Sequence, residues 1–87
     1  MSTRVLVVDD DPVQRRLLDA MVRRFGYEPL AAEGGEAAAR LLEGPEGPGI
    51  AAVILDLVMP DLDGMGLLGR LKERGIDTPV IVQTAHG

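Results

Sequence analysis

Short unbroken apolar runs alternate along the chain with longer segments whose apolar residues recur every three or four positions. The first run, Val5-Leu6-Val7-Val8, is mostly β-branched and ends at Asp9-Asp10-Asp11. A continuous apolar run of this length, closed by carboxylates, predicts a strand buried on both faces, as in a parallel sheet. Asp11 then holds the position of a helix N-cap. Pro12 falls at the first helical position and Gln14 stands where a capping-box partner belongs. Val13, Leu17, Leu18, Met21, Val22 and Phe25 share a helical spacing and are expected to form the buried face. Arg15, Arg16, Arg23 and Arg24 fall largely outside that stripe, on the solvated side. Gly26 is the stop signal.

Glu28 to Ala31 suggest a short second strand, and Pro29 assigns it to a sheet edge. Gly34-Gly35 break the chain, and Glu36 to Glu43, rich in Ala and Leu, read as a second helix. Gly44-Pro45-Glu46-Gly47-Pro48-Gly49 predict an irregular surface loop, short enough to be a connection within one domain. Ile50 to Leu55 form a third strand that ends at Asp56. Gly64 to Arg74 read as a third helix with Met65, Leu67, Leu68 and Leu71 as its apolar contacts. Gly66 and Gly69 weaken it by about 1 kcal/mol each relative to Ala. Pro79-Val80-Ile81-Val82-Gln83-Thr84 supply a fourth strand. Strand and helix thus alternate three times before a last strand. Right-handed crossovers turn that order into an α/β, doubly wound parallel sheet with helices on both faces. There is no internal repeat.

Ligands of such sheets bind beyond the carboxyl ends of the strands. Asp9, Asp10, Asp56 and Thr84 all fall there. If the first and third strands are neighbours, three carboxylates meet at one sheet edge and repel one another. That arrangement calls for a divalent cation, and hard oxygen ligands favour Mg²⁺. A carboxylate beside such an ion is a candidate nucleophile towards phosphorus. Asp61 and Asp63 have the look of turn formers, with Gly64 allowing the bend. His86 reads as a solvated loop histidine, since nothing beside it completes a catalytic set.

Composition narrows the classes. With 87 residues the chain supports one small core, and one Phe, one Tyr and no Trp make that core aliphatic. A formal net charge of -5 argues against direct nucleic-acid binding by this segment. The absence of cysteine rules out disulfides and thiolate metal sites. No apolar run approaches the roughly 18–20 residues of a membrane span. Met1-Ser2-Thr3-Arg4 lead straight into the first strand and do not resemble a cleavable signal peptide.

Three motifs together resemble a known family. Val7-Val8-Asp9-Asp10-Asp11, Leu55-Asp56-Leu57-Val58-Met59-Pro60-Asp61-Leu62-Asp63-Gly64 and Pro79-Val80-Ile81-Val82-Gln83-Thr84-Ala85 are similar to the receiver domain of bacterial two-component response regulators, in order and at suitable spacing. The resemblance covers the whole chain. It implies a flavodoxin-like fold with strand order 2-1-3-4. It implies Asp56 as phosphoacceptor from a histidine of a sensor kinase or phosphotransfer protein. It further implies Mg²⁺ held by Asp9, Asp10, Asp56 and the backbone carbonyl of Val58, with Asp10 a direct ligand and Asp9 acting directly or through water. Thr84 would bond a phosphoryl oxygen and report its arrival.

Such a module is a cytoplasmic phosphoacceptor that assists its own phosphorylation and dephosphorylation, not an enzyme acting on separate substrates. Residues 1–87 are expected to be the N-terminal part of a single receiver domain, with the family's fifth strand, its lysine, the last helices and any output domain, transcriptional in style, not present. The fourth strand then becomes an exposed edge open to homodimeric or domain-swapped association. Two other readings stand beside this one. One is a non-switching structural or interaction fragment that keeps the acidic pocket. The other is a phosphatase or phosphotransferase of another doubly wound family using Asp56, against which counts the absence of a general acid two residues on, where Val58 stands.

Overall fold

The computed structural model describes residues 3–56 and 64–83. Four strands, β1 (Arg4–Val8), β2 (Glu28–Ala32), β3 (Ile50–Asp56) and β4 (Val80–Gln83), alternate with three helices, α1 (Pro12–Arg24), α2 (Gly35–Glu43) and α3 (Gly64–Glu73). The strands form one parallel sheet in the order β2-β1-β3-β4, as the resemblance implied. β1 and β3 are interior strands, which explains why their apolar runs are unbroken.

Alternation along each strand divides the core in two. Leu6 and Val8 of β1 and Val53 and Leu55 of β3 point to one face. There they pack with Ala38, Ala39 and Leu42 of α2 and with Leu67 and Leu71 of α3. Val5 and Val7 of β1 and Ile54 of β3 point to the other face and meet Leu18 and Val22 of α1. The alanines of α2 bring that helix close to the sheet. Ala38 and Ala39 are both fully buried.

Helix α1 starts and stops where its end signals stand. The Asp11 carboxylate accepts a hydrogen bond from the Val13 N–H at 2.9 Å, so the cap is real, although the bond is made to Val13. Gly26, with φ at 89°, takes the left-handed conformation that ends the helix, and its N–H donates to the Arg23 carbonyl at 3.0 Å. The buried face of α1 is narrower than expected. Leu18 and Val22 are buried, whereas Val13, Leu17, Met21 and Phe25 are exposed, Leu17 by 61% and Phe25 by 70%. The reason is geometric. The apolar arc of α1 is wider than the contact one helix can make with two strands, and Leu18 and Val22 take that contact.

Pro29 sits in β2 at the sheet edge, as expected. The Glu28 N–H donates to Thr3 of the β1 side, so by alternation Pro29, which has no N–H, faces outwards. β4 lies at the other edge with Ile81 and Val82 exposed. No strand among the described residues pairs with its outer side. The segment 44–49, expected to be irregular, contains one 3-10 turn at Gly47–Gly49. Gly47 is buried and pressed against the C-terminal end of α2, where an added Cβ would collide with the Leu42 carbonyl oxygen.

α2 and α3 are tied by charge as well as by apolar contact. The Arg70 guanidinium forks onto Glu43, with Nε to Oε2 at 2.9 Å and Nη2 to Oε1 at 3.0 Å, and reaches Glu36 Oε2 at 3.1 Å. The hydrogen bond from Arg70 holds the Glu43 carboxyl below its ordinary value.

Two outcomes follow from this packing. Gly47→Ala should lower unfolding free energy by about 1–3 kcal/mol, the cost of forcing an extra methyl against rigid backbone, as measured by urea denaturation. The Arg70–Glu43 pair contributes stability fully above the ordinary glutamate value of 4.5 and loses it as pH falls through the depressed folded value. The difference in urea midpoint between the wild type and Glu43→Gln should therefore be constant near neutral pH and shrink on acidification below that value. A difference that grew on acidification would contradict the pairing.

Candidate functional site

The register of the two interior strands builds the site. Val8 pairs with Leu55, so the next residues, Asp9 and Asp56, leave the carboxyl ends of adjacent strands side by side. By alternation Asp9 continues the Val5–Val7 face and Asp56 continues from Ile54, so both belong to the face that carries α1. Asp10 follows at the turn into α1. One carboxylate oxygen from each of Asp9, Asp10 and Asp56 lies within 4.8 Å of the others. The convergence expected from the sequence is thus present.

The three differ in environment. Asp9 is only 3% exposed, Asp56 is half-buried and Asp10 is exposed. Burial pushes the Asp9 carboxyl above its ordinary range, and the charges of Asp56, Asp10 and Asp11 push the same way. One hydrogen bond opposes this, from the Asp11 N–H to Asp9 Oδ1 at 2.9 Å. The N-terminal end of α1 begins at Pro12, so its partial positive charge lies next to the cluster and offsets part of the repulsion.

Oxygen donors at this spacing suit a small hard cation. Mg²⁺ binds oxygens at about 2.1 Å, so neighbouring ligands of one ion stand about 3 Å apart and opposite ones about 4.2 Å, and the three carboxylates would draw together on binding it. Asp11 is accounted for separately, by its bond to the Val13 N–H. Thr84, the Val58 carbonyl, Pro60, Asp61, Asp63 and His86 lie outside the described residues. The nearest described neighbour of Thr84 is Gln83, which pairs with Asp56 across β3 and β4.

One contact was not anticipated. Arg15, expected on the wet side of α1, donates from Nη1 to the Asp9 carbonyl oxygen at 2.9 Å. Its spacing carried the signal. Arg15, Leu18 and Val22 stand at i, i+3 and i+7, so a cation occupies the first place of the sheet-facing stripe, above the strand-end carboxylates.

Comparison with known proteins follows the same lines. The family model described as the response regulator receiver domain matches residues 5–87. The chain belongs to the response regulator receiver family. The two-component response regulator ORR25 of Oryza sativa subsp. japonica is 45% identical over 85 residues, 97% of this chain and 12% of that protein. The protein named "Probable transcriptional regulator ycf27" of Porphyra purpurea is 39% identical over 84 residues, 97% of this chain and 33% of its own length. Among solved structures, the response regulator TrrA of Thermotoga maritima, determined in complex with Mg²⁺-BeF, is 36% identical with a TM-score of 0.84, over 100% of this chain and 72% of that one. This receiver chain therefore spans a third or less of the length of these two curated relatives. No helix among the described residues is long and apolar enough to cross a membrane.

The strained carboxylate of Asp9 gives a test that needs no ligand. Asp9→Asn keeps an oxygen to accept the Asp11 N–H and removes the buried charge. The ionised form is disfavoured in the fold, so its cost is present at neutral pH and disappears as pH falls towards the ordinary value of 3.8. In chelator, Asp9→Asn should be more stable than the wild type at neutral pH by on the order of 1 kcal/mol in urea unfolding. The gain should vanish in acid. A variant less stable than wild type at neutral pH would show that the repulsion is already relieved.

Proposed function

We propose that residues 1–87 are the N-terminal part of a single receiver domain that accepts a phosphoryl group on Asp56. The observation that carries this reading is the convergence of Asp9, Asp10 and Asp56 at matched ends of adjacent parallel strands. Asp9, Asp10 and Asp56, with the Val58 carbonyl, would hold Mg²⁺. When bound, the ion would neutralise the cluster and the equatorial oxygens of an incoming phosphoryl group. The complex named for TrrA supports the choice of ion.

The chemistry asked of the chain itself is small. An Asp56 oxygen attacks phosphorus in line, and the bond from phosphorus to the donor nitrogen or oxygen breaks, with the electron pair leaving on the donor. The product is an acyl phosphate on Asp56. It adds about 1.5–2 negative charges to an acidic pocket, so donors must meet its oxygens. Thr84, next in the chain after Gln83, is the side chain proposed for that contact, and its movement would begin the switch. The phosphodonor is a histidine of a sensor kinase or phosphotransfer protein. The setting is cytoplasmic, and the output of the full-length protein is transcriptional, a reading supported by the name of the ycf27 relative.

Incubation with acetyl phosphate and Mg²⁺ followed by mass spectrometry tests the reading. The wild type should gain one phosphoryl group, and Asp56→Asn or addition of chelator should abolish the gain. A phosphoryl group that survives Asp56→Asn unchanged would remove Asp56 from this role. Steady turnover of a phosphoester would favour a phosphatase instead.

A further inference from the structure

We infer that Arg15 is a positioning residue for the acidic site, fixing the peptide that joins Asp9 to Asp10 so that the two carboxylates are held ready for a divalent cation. The inference rests on the metal-binding reading above and adds to it a residue from outside the cluster.

The N-terminal side of Asp9 is still part of the sheet, its N–H donating to the Ala32 carbonyl at 3.2 Å. β2 ends at Ala32. The Asp9 carbonyl, one residue beyond β1, is bonded instead by the Arg15 guanidinium at 2.9 Å. That carbonyl belongs to the one peptide group lying between the two acidic side chains. Rotating it would swing Asp9 and Asp10 relative to each other.

Three more bonds close the set. The Asp11 N–H donates to Asp9 Oδ1, the Asp11 carboxylate accepts from the Val13 N–H, and the Arg15 N–H donates to the Asp11 carbonyl, each at 2.9 Å. Arg15 thus joins both ends of the turn from β1 into α1, through its own backbone at Asp11 and its side chain at Asp9. Its neighbours do not duplicate this. Arg16 is exposed and no bond from its side chain to the Asp9–Asp11 turn is formed, although both arginines line, with Pro12, Asp19 and Ala31, an open cleft of about 240 Å³.

Arg15 acts on a cation in two opposed ways. Its charge repels the ion, and its bond to the Asp9 carbonyl orders the ligands. The first effect is screened by salt, since the Debye length falls from about 8 Å at 0.15 M to about 3 Å at 1 M. The second is not. Outer partners that orient metal ligands are worth about 10–100-fold in affinity. At high salt the ordering effect should therefore dominate.

Calorimetric titration of the 87-residue chain with MgCl₂ in concentrated KCl tests this. Arg15→Ala should weaken Mg²⁺ binding about tenfold relative to wild type. Arg15→Lys, which can still donate to the carbonyl, should recover most of the loss, and Arg16→Ala should bind as the wild type does. In chelator, the Asp10 and Asp11 amide resonances should shift in Arg15→Ala with the core resonances of β1 and β3 unmoved, a signature that general loss of stability would not produce. If Arg15→Ala fails to fold, Arg15→Met, which keeps the apolar stem and removes every donor, carries the same comparison. Wild type and Arg15→Ala binding Mg²⁺ equally, or the variant binding more tightly at high salt, would overturn the role of Arg15 while leaving the metal site standing. A wild type that binds no Mg²⁺ would overturn both.

Discussion

The parallel register of β1 against β3 is the constraint on which the rest depends. Val8 faces Leu55 because both strands are buried on two faces, and a slip of one residue would turn each apolar set towards the wrong helices. The same register places Asp9 beside Asp56 at the strand ends. The site is therefore a consequence of core packing: the apolar residues that make the sheet cohere also aim its carboxylates.

That arrangement sets stability against function. Aspartates gathered at one sheet edge repel, and the Asp9 carboxyl is pushed up first by its burial and then by the charges of its neighbours. The surrounding structure offsets the repulsion piece by piece, through the start of α1, the Asp11 N–H and the Arg15 guanidinium at the Asp9 carbonyl. None of these removes the need for a countercharge. A pocket left with excess negative charge suits the cation proposed for it, and that cation would in turn offset the negative charge of the proposed phosphoryl group.

The two faces of the sheet are held differently. On one, α2 and α3 share a continuous apolar cluster and are bridged by Arg70 to Glu36 and Glu43. On the other, α1 is the one helix among the described residues, sits on a smaller cluster and leaves Met21, Phe25, Tyr27 and Ile81 around an apolar groove. Among the described residues, the side that carries the acidic cluster is thus the more lightly covered. Local motion there would disturb fewer buried contacts than motion of α2 or α3.

Local chemistry in the sequence was enough to place the elements. Continuous apolar runs marked the interior strands, Asp11-Pro12 and Gly26 bounded α1, and Pro29 assigned β2 to an edge, because each acts through its own backbone or near neighbours. The carboxylates were legible for the same reason, standing where apolar runs end. Other features depended on distances between segments far apart in the chain. The pairing of β1 with β3 skips Ala51, so Ile50 and Val53, three positions apart, reach the same face, and simple alternation would have separated them. Which apolar residues of α1 are covered was decided by the width of the sheet beneath it. The Arg70 bridge joins residues 27 and 34 positions apart, which no helical spacing encodes. Arg15 belongs with these: the apolar pattern put it on the wet side of α1, its partner is a backbone carbonyl, and only the folded turn brings that atom within reach.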